Sequence, residues 1–389
     1  MKYLTIAFGL LLTLNALGQA EYPLWKGIKP GNHNVGFKII EFEDYSRTIA
    51  SNSDKSNNTE PGQFFPIQIS IWYPTEEKWG RNGSLKFKDY FYATAKKNTF
   101  QKLSGEQREE AMDIFFNFAK YGLGREFSRE EKEHIGNAPT AAIRNAKPMN
   151  QKFPVLLAGH DGGVWKMSTL SEYLASHGYV VVSTGLLSQT SRMFRNNPQI
   201  AINRRIRTFE IVRAMLNQFE FMDENQIGLL GLNADGISTL LYQMKNMEAK
   251  AIANIDGWDG KNNGSEYINR SIYFNPTNIN VPFLEFHQHE QPANESLQLN
   301  TSVFDSLTGI DRFSFVLQDF GHAYLTGNLV VVPDLPKKIV QQHEFWYSSI
   351  KAFFDAYLKK DENMYENLWN SKSSEPLLFK NERIQAEGE

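Results

Sequence analysis

The chain has 389 residues, 41% of them apolar and 13% aromatic, enough to fill the core of one large domain or two small ones. Its 41 basic and 44 acidic residues leave a net charge of −3, so no global field favours nucleic acid or an anionic membrane. Cysteine is absent, which excludes disulfides, thiolate catalysis, cysteine-ligated zinc and a lipidated N-terminal cysteine.

The first segment has the layout of an export signal. Lys2 supplies the charged start, Leu4–Leu17 the apolar stretch, and Ala16-Leu17-Gly18 a small-x-small cleavage site. Cleavage is expected before Gln19, with the site after Ala20 as second choice. Residues 1–18 are therefore read as a signal peptide and 19–389 as a single domain. A membrane anchor is the competing reading, but the apolar run falls short of the ~20 residues a span needs. No later run is long and apolar enough to cross a bilayer. The expectation is an exported protein, periplasmic or secreted.

Phe37–Phe42 alternates apolar and polar residues and reads as a strand. Residues 49–62 are rich in Ser, Asn and Asp and read as a loop. Phe65–Pro74 is a second alternating strand, stopped by Pro74, and the two strands are expected to pair as an antiparallel edge. Between Ser84 and Ala146 no strong strand signal appears. Ser104–Ala119 reads as a helix with an N-cap serine and Gln107 three residues on; Ser128–Gly136 is a second Ser-capped helix. This stretch, about 84–146, is read as a helical insertion, either a lid or an ordinary layer on a sheet. Its charge clusters, such as Arg129–Lys132, read as solvated faces.

From Phe153 the pattern alternates strand and helix. Phe153–Ala158 is a buried-type strand, followed by the turn Gly159-His160-Asp161-Gly162-Gly163. A helix over Thr169–His177, a strand over Gly178–Ser183 and an amphipathic helix over Ile202–Phe219 come next. Further strands are expected at Ala251–Ile255, Pro282–Phe286 and Phe313–Leu317, and a closing helix at His343–Leu358. Continuous apolar strands alternating with helices imply a mainly parallel sheet covered on both faces. Ligands of such sheets sit at the carboxyl ends of the strands. The residues just past each strand are then the candidates for chemistry.

One of those strand ends has a distinctive form. Gln226–Leu230 is apolar, Gly231-Leu232-Asn233-Ala234-Asp235-Gly236 follows, and Ile237–Lys245 reads as a helix. A strand, a sharp glycine-flanked turn and a helix make a nucleophile elbow, which normally has the form G-x-S-x-G. Here Asn233 stands at the apex and Asp235 replaces the second glycine of the motif.

Taken in order, these stations resemble an α/β-hydrolase of the platelet-activating-factor acetylhydrolase and dienelactone hydrolase type. The resemblance rests on Val35-Gly36 with Ser70–Pro74, on Phe153–His160 with Leu174–Val182, and on Ile227–Gly236, Ile255–Trp258 and Gly321-His322. It implies an α/β-hydrolase fold with a helical lid-like insertion. It further implies an elbow serine attacking an ester, a histidine taking its proton and an aspartate orienting the histidine. Carried over, Asp256 would be the acid and His322 the base, with Glu290 the competing acid. Backbone N–H groups of Ala234 and of the turn at Gly159, His160 and Asp161 would form the oxyanion hole. Asn233 has no ionisable oxygen, so serine-type hydrolysis is expected to be impaired or lost.

Several residues admit more than one role. Asp235 could be a carboxylate nucleophile or a turn and capping residue, and its charge would oppose a developing oxyanion. Trp165 and Trp258 could line a pocket or fill the core. His287 and His289, two apart on a strand, could meet one ion, but no third ligand at diagnostic spacing follows. No metal and no cofactor is expected. The expected partner is a small-molecule ester, lipid or glycan-derived ligand. An active acyl hydrolase using His322 with water or a carboxylate, and a purely non-catalytic interaction protein, remain alternatives.

Overall fold

The computed structural model describes residues 22–48, 64–80, 83–96, 100–160, 162–185, 197–289, 295, 298–327, 331–370 and 377–386. The expected signal peptide, Asp161 and Glu290 lie outside the described residues.

Among the described residues, eleven strands form one sheet: β1 (Asn34–Thr48), β2 (Phe64–Thr75), β3 (Ser84–Lys86), β4 (Pro139–Arg144), β5 (Phe153–His160), β6 (Val180–Gly185), β7 (Met222–Leu232), β8 (Ala251–Ile255), β9 (Phe283–Gln288), β10 (Arg312–Leu317) and β11 (Leu378–Ile384). Their order is β11-β10-β9-β8-β7-β5-β6-β2-β1-β4-β3. The run from β10 to β6 is parallel throughout. β2 is antiparallel to both β6 and β1, as the alternating patterns of the first two strands suggest, but this pair is not an edge. β4 and β3 extend the sheet beyond it. The insertion therefore contributes strands as well as helices, which corrects the purely helical expectation. Thr140, Ala141 and Ala142 are too small to announce a strand, yet all three are buried.

Along β5, Val155 and Leu157 face one side and Leu156 and Ala158 the other, so both faces of the strand meet a core. Helices cover both faces: α1 (Phe87–Ala95), α2 (Gly105–Leu123), α3 (Arg129–Asn137), α4 (Trp165–Ser176), α5 (Pro198–Met215), α6 (Asp235–Asn246), α7 (Asn262–Asn269), α8 (Ser302–Ser306), α9 (His322–Leu325), α10 (Lys337–Leu358) and α11 (Glu362–Asn370). The first face collects β-strand residues with α4 and α10; the second collects them with α5 and α6. Both insertion caps form as expected: Ser104 accepts from Gln107 N and Ser128 from Glu131 N, each within a capping box.

The insertion divides its work. Tyr90 of α1 packs on Phe37 and Trp72 of the sheet, with ring centroids 5.3 and 5.9 Å apart. Phe115 and Phe118 of α2 pack instead on Trp165, at 4.9 and 5.1 Å. α2 also touches α9, the short helix that carries His322. α1 is thus a sheet layer, and α2 reaches the end of the sheet where the strands finish.

The chain runs from β5 to β6 on one side, then crosses back to β7 on the other. That reversal opens a crevice at the carboxyl ends of β5 and β7, the usual place for a ligand in such a sheet. The outer strand β3 is only three residues long and ends on Lys86; the opposite edge, β11, presents Lys380, Glu382 and Arg383.

Candidate functional site

Four loops meet at the crevice. The turn after β7 is the elbow. Asn233 adopts φ +57°, the left-handed region that an asparagine tolerates better than most residues. Its N–H donates to Ile255 O at 3.0 Å, and its carbonyl accepts from Gly236 N and Trp258 N, each at 3.0 Å. Ala234 is already helical and α6 begins at Asp235. Strain therefore falls on the apex residue, while the flanking glycines serve close approach. A Cβ on Gly231 would lie 2.5 Å from Asn254 Oδ1, and one on Gly236 would lie 2.9 Å from the Gly257 Cα. The turn lifts Asn233 partly into solvent while Leu232, Ala234 and Asp235 stay buried.

Asp256 follows β8, also with positive φ (45°). It is fully buried, and its Oδ2 accepts a hydrogen bond from His322 Nδ1. Lys261 Nζ reaches the same oxygen at 3.0 Å, and Gln288 N donates to Oδ1 at 3.4 Å. Burial alone would raise this carboxyl; the Lys261 ammonium and the His322 ring overcome it and hold the group well below the usual carboxylate range. Asp256 is therefore an acceptor, and His322 Nδ1 donates to it. His322 opens α9, its N–H donates to Gln288 Oε1 at 3.0 Å, and its side chain is 31% exposed. The two residues expected to be acid and base, 66 positions apart in sequence, are in contact.

Asp235, a candidate pocket residue by its place beside the elbow, opens α6. It is fully buried, and its Oδ1 accepts from Arg205 Nε at 2.9 Å. The same guanidinium donates to Thr184 O, to Thr184 Oγ1 at 2.9 Å and to His160 O at 3.0 Å. Arg205 thus joins the ends of β5 and β6 to the first turn of α6. Gly159 makes room for this: a Cβ there would lie 3.0 Å from the Asp235 Cβ. The negative charge at Asp235 is matched at contact distance by the Arg205 guanidinium.

The remaining candidates separate. His160 is fully buried at the end of β5, its carbonyl held by Arg205. A Cβ on Gly163 would meet Trp165 Nε1 at 2.0 Å, whereas one on Gly162 would meet only the flexible end of Lys166, with Cε at 2.9 Å. Trp165 is a core residue at the foot of α2. Trp258 is half-buried, tied to the elbow by its N–H and stacked on Tyr267 at 6.3 Å. The two histidines of β9 part company. His287 is fully buried with Nε2 3.1 Å from Glu285 Oε1, whereas His289 Nδ1 accepts from Asp319 N at 3.2 Å. Among the described residues, no group of three or more His, Asp or Glu side chains is placed to hold a metal.

A second buried layer lies under Asp256 that the sequence did not announce. Asn254 donates to Asp259 Oδ2 at 3.0 Å and accepts from Thr239 Oγ1 at 2.8 Å; Ser314 Oγ donates to Glu285 at 2.7 Å. Burial and the neighbouring Glu285 push Asp259 up to about 6. For His287, burial favours the neutral ring, but the Glu285 carboxylate outweighs it and the group ends above its ordinary value. Lys261, Gln288 and Arg205 were the site-forming residues missed. Nothing in the local sequence marks them, since each acts across turns or between strands.

No family model matches the chain, and no curated protein matches it. Among solved structures, a ferulic acid esterase from Streptomyces cinnamoneus superposes with a TM-score of 0.55 at 17% identity, covering 84% of this chain and 91% of that one. The topology and this likeness together establish an α/β-hydrolase fold, with the mostly parallel sheet and two helical layers expected from the sequence.

Proposed function

We propose that this protein is an exported member of the hydrolase lineage, of platelet-activating-factor acetylhydrolase or dienelactone hydrolase type. In this reading it binds an ester, lipid or glycan-derived small molecule at the carboxyl ends of its strands, and serine-type turnover has been lost. One observation carries the reading. Asn233 occupies the strained apex of the elbow while the Asp256–His322 contact beside it is kept. An amide cannot be deprotonated by the histidine, so an acyl-enzyme does not form. Loss of a triad nucleophile costs on the order of 10⁶ in turnover and leaves only what binding and the oxyanion donors supply.

The test is hydrolysis of p-nitrophenyl esters and, given the solved neighbour, of methyl ferulate. The wild type is expected to be close to background. Asn233→Ser should raise turnover by at least ~10², a fraction of what a triad nucleophile contributes. Subsequent His322→Ala should abolish the gain. No gain from Asn233→Ser would remove the reading.

The intact His322–Asp256 contact favours a second reading, an acyl hydrolase in which His322 activates water directly. Wild-type turnover that disappears in His322→Ala, with no increase from Asn233→Ser, would select it.

A further inference from the structure

Lys261 lies five residues past Asp256, just ahead of α7, and sends its ammonium into the buried floor of the site. The residue is 6% exposed. A buried ammonium requires a carboxylate partner, and the partner here is the side chain that orients His322. Lys261 Nζ and His322 Nδ1 converge on the same atom, Asp256 Oδ2. We propose that Lys261 is a positioning residue acting on His322 through Asp256: by placing a positive charge on the shared oxygen, it reduces the pull that Asp256 exerts on a proton at His322. The inference rests on the proposed reading of Asp256 and His322 as acid and base.

The charged surroundings support this assignment. Asp256 is faced by Lys261 from the turn before α7, by His322 from α9 and by His287 from β9. His287 is itself engaged by Glu285 and faces Asp259. Asp319, three residues before His322, is exposed and its carboxylate is held by Lys338 at 3.0 Å. A lysine ammonium keeps its charge across the range in which an imidazole titrates. In a serine-type site the carboxylate strengthens the imidazole as a base. Sharing that carboxylate with an ammonium weakens the effect, so Lys261 is a restraint on the base that is separate from the loss at Asn233.

The experiment uses the full-length wild-type protein and does not depend on turnover. Carbethoxylation of His322 by diethylpyrocarbonate, which modifies the neutral ring, is followed against pH by peptide mass spectrometry. In Lys261→Met the reaction profile is expected to move to higher pH by about one unit, approaching a tenfold drop in reactive fraction on the acid side of the titration. Lys261→Arg, which keeps the charge, should leave it in place. Lys261→Gln keeps a hydrogen-bond donor without the charge and gives the same reading where the methionine variant does not fold. An unmoved profile in the uncharged variants would overturn the proposal. A move to lower pH would also overturn it, because that is the result of a tether whose removal releases Asp256 from the ring. Failure of Asn233→Ser to gain turnover would count against the functional reading and would leave this measurement standing.

Discussion

Arg205 and Asp235 show why a residue at the elbow can mislead when read in sequence alone. An aspartate in place of the motif glycine looks like a charge aimed at the reaction. In space it turns away, beneath β5, into a guanidinium that also holds two strand ends. Removing one partner of a buried pair leaves the other uncompensated, at a cost of about 3–5 kcal/mol. Asp235→Asn and Arg205→Met should each lower stability by that order in urea titrations. Asp235→Gly combined with Arg205→Met should recover part of the loss. Beneath Asp256, Asp259 carries a pH signature. Its folded pKa, pushed up to about 6 by burial and Glu285, lies above the unfolded carboxylate value. The stability it contributes is therefore complete at pH ~4 and below, and is lost as pH rises towards 6. Asp259→Asn keeps an acceptor for Asn254 and cannot ionise. It should match the wild type near pH 4 and exceed it at pH 7, by on the order of 2 kcal/mol, in thermal melts across that range. His287, also raised, works in the same sense: its contribution is present below its unfolded value of about 6.5 and fades as pH climbs through its folded one. At this scale the sharp turn at Asn233 and the meeting of Asp256 with His322 could be anticipated, because strand ends in order are a sequence property. The groups that neutralise and support them were not, because their partners arrive from elsewhere in the chain.

Elements were legible where apolar periodicity was strong. The strands from Phe153 onward, the two Ser-capped helices and the closing helix all formed, with ends shifted by a few residues. β4 was hidden by its small residues, and β11 by its run of Lys, Asn, Glu and Arg. A buried carboxylate was also hidden, because a glutamate in an amphipathic helix normally reads as surface. Glu172 of α4 is fully buried, and its oxygens accept from Tyr90 OH at 2.5 Å, Trp25 Nε1 at 3.0 Å and Ala141 N at 3.1 Å. It fastens the N-terminal turn, α1 and β4 to α4. Burial outweighs these bonds and raises its pKa, so the neutral isostere Glu172→Gln should be tolerated. Glu172→Ala strands three donors in the core and should cost several times more, roughly 2–5 kcal/mol in equilibrium unfolding. The last helix and strand also have a structural task. Trp369 packs on Phe313 with ring centroids 4.6 Å apart, and β11 pairs along β10. A chain ending after Lys360 should expose that strand and associate, a change that size-exclusion chromatography would register.

Across the whole molecule, alternation of strand and helix was sufficient to anticipate the parallel sheet and its two helical layers. It was not sufficient to show that the insertion both widens the sheet and reaches the site, since that depends on Trp165 meeting Phe115 and Phe118. A ligand bound at the crevice should stabilise the entire fold, by ~2.7 kcal/mol at a hundredfold excess over its dissociation constant. A screen of ester, lipid and glycan-derived compounds by melting temperature would register such binding even where nothing is turned over. The short β3 and the charged β11 have a further consequence. A sheet grows by adding a strand along an unpaired backbone, and both places where this one could grow are unfavourable, one for want of length and one for its charges. Concentrated solutions of the intact chain should not seed cross-β fibres, whereas neutralising Lys380, Glu382 and Arg383 together would supply a template for them.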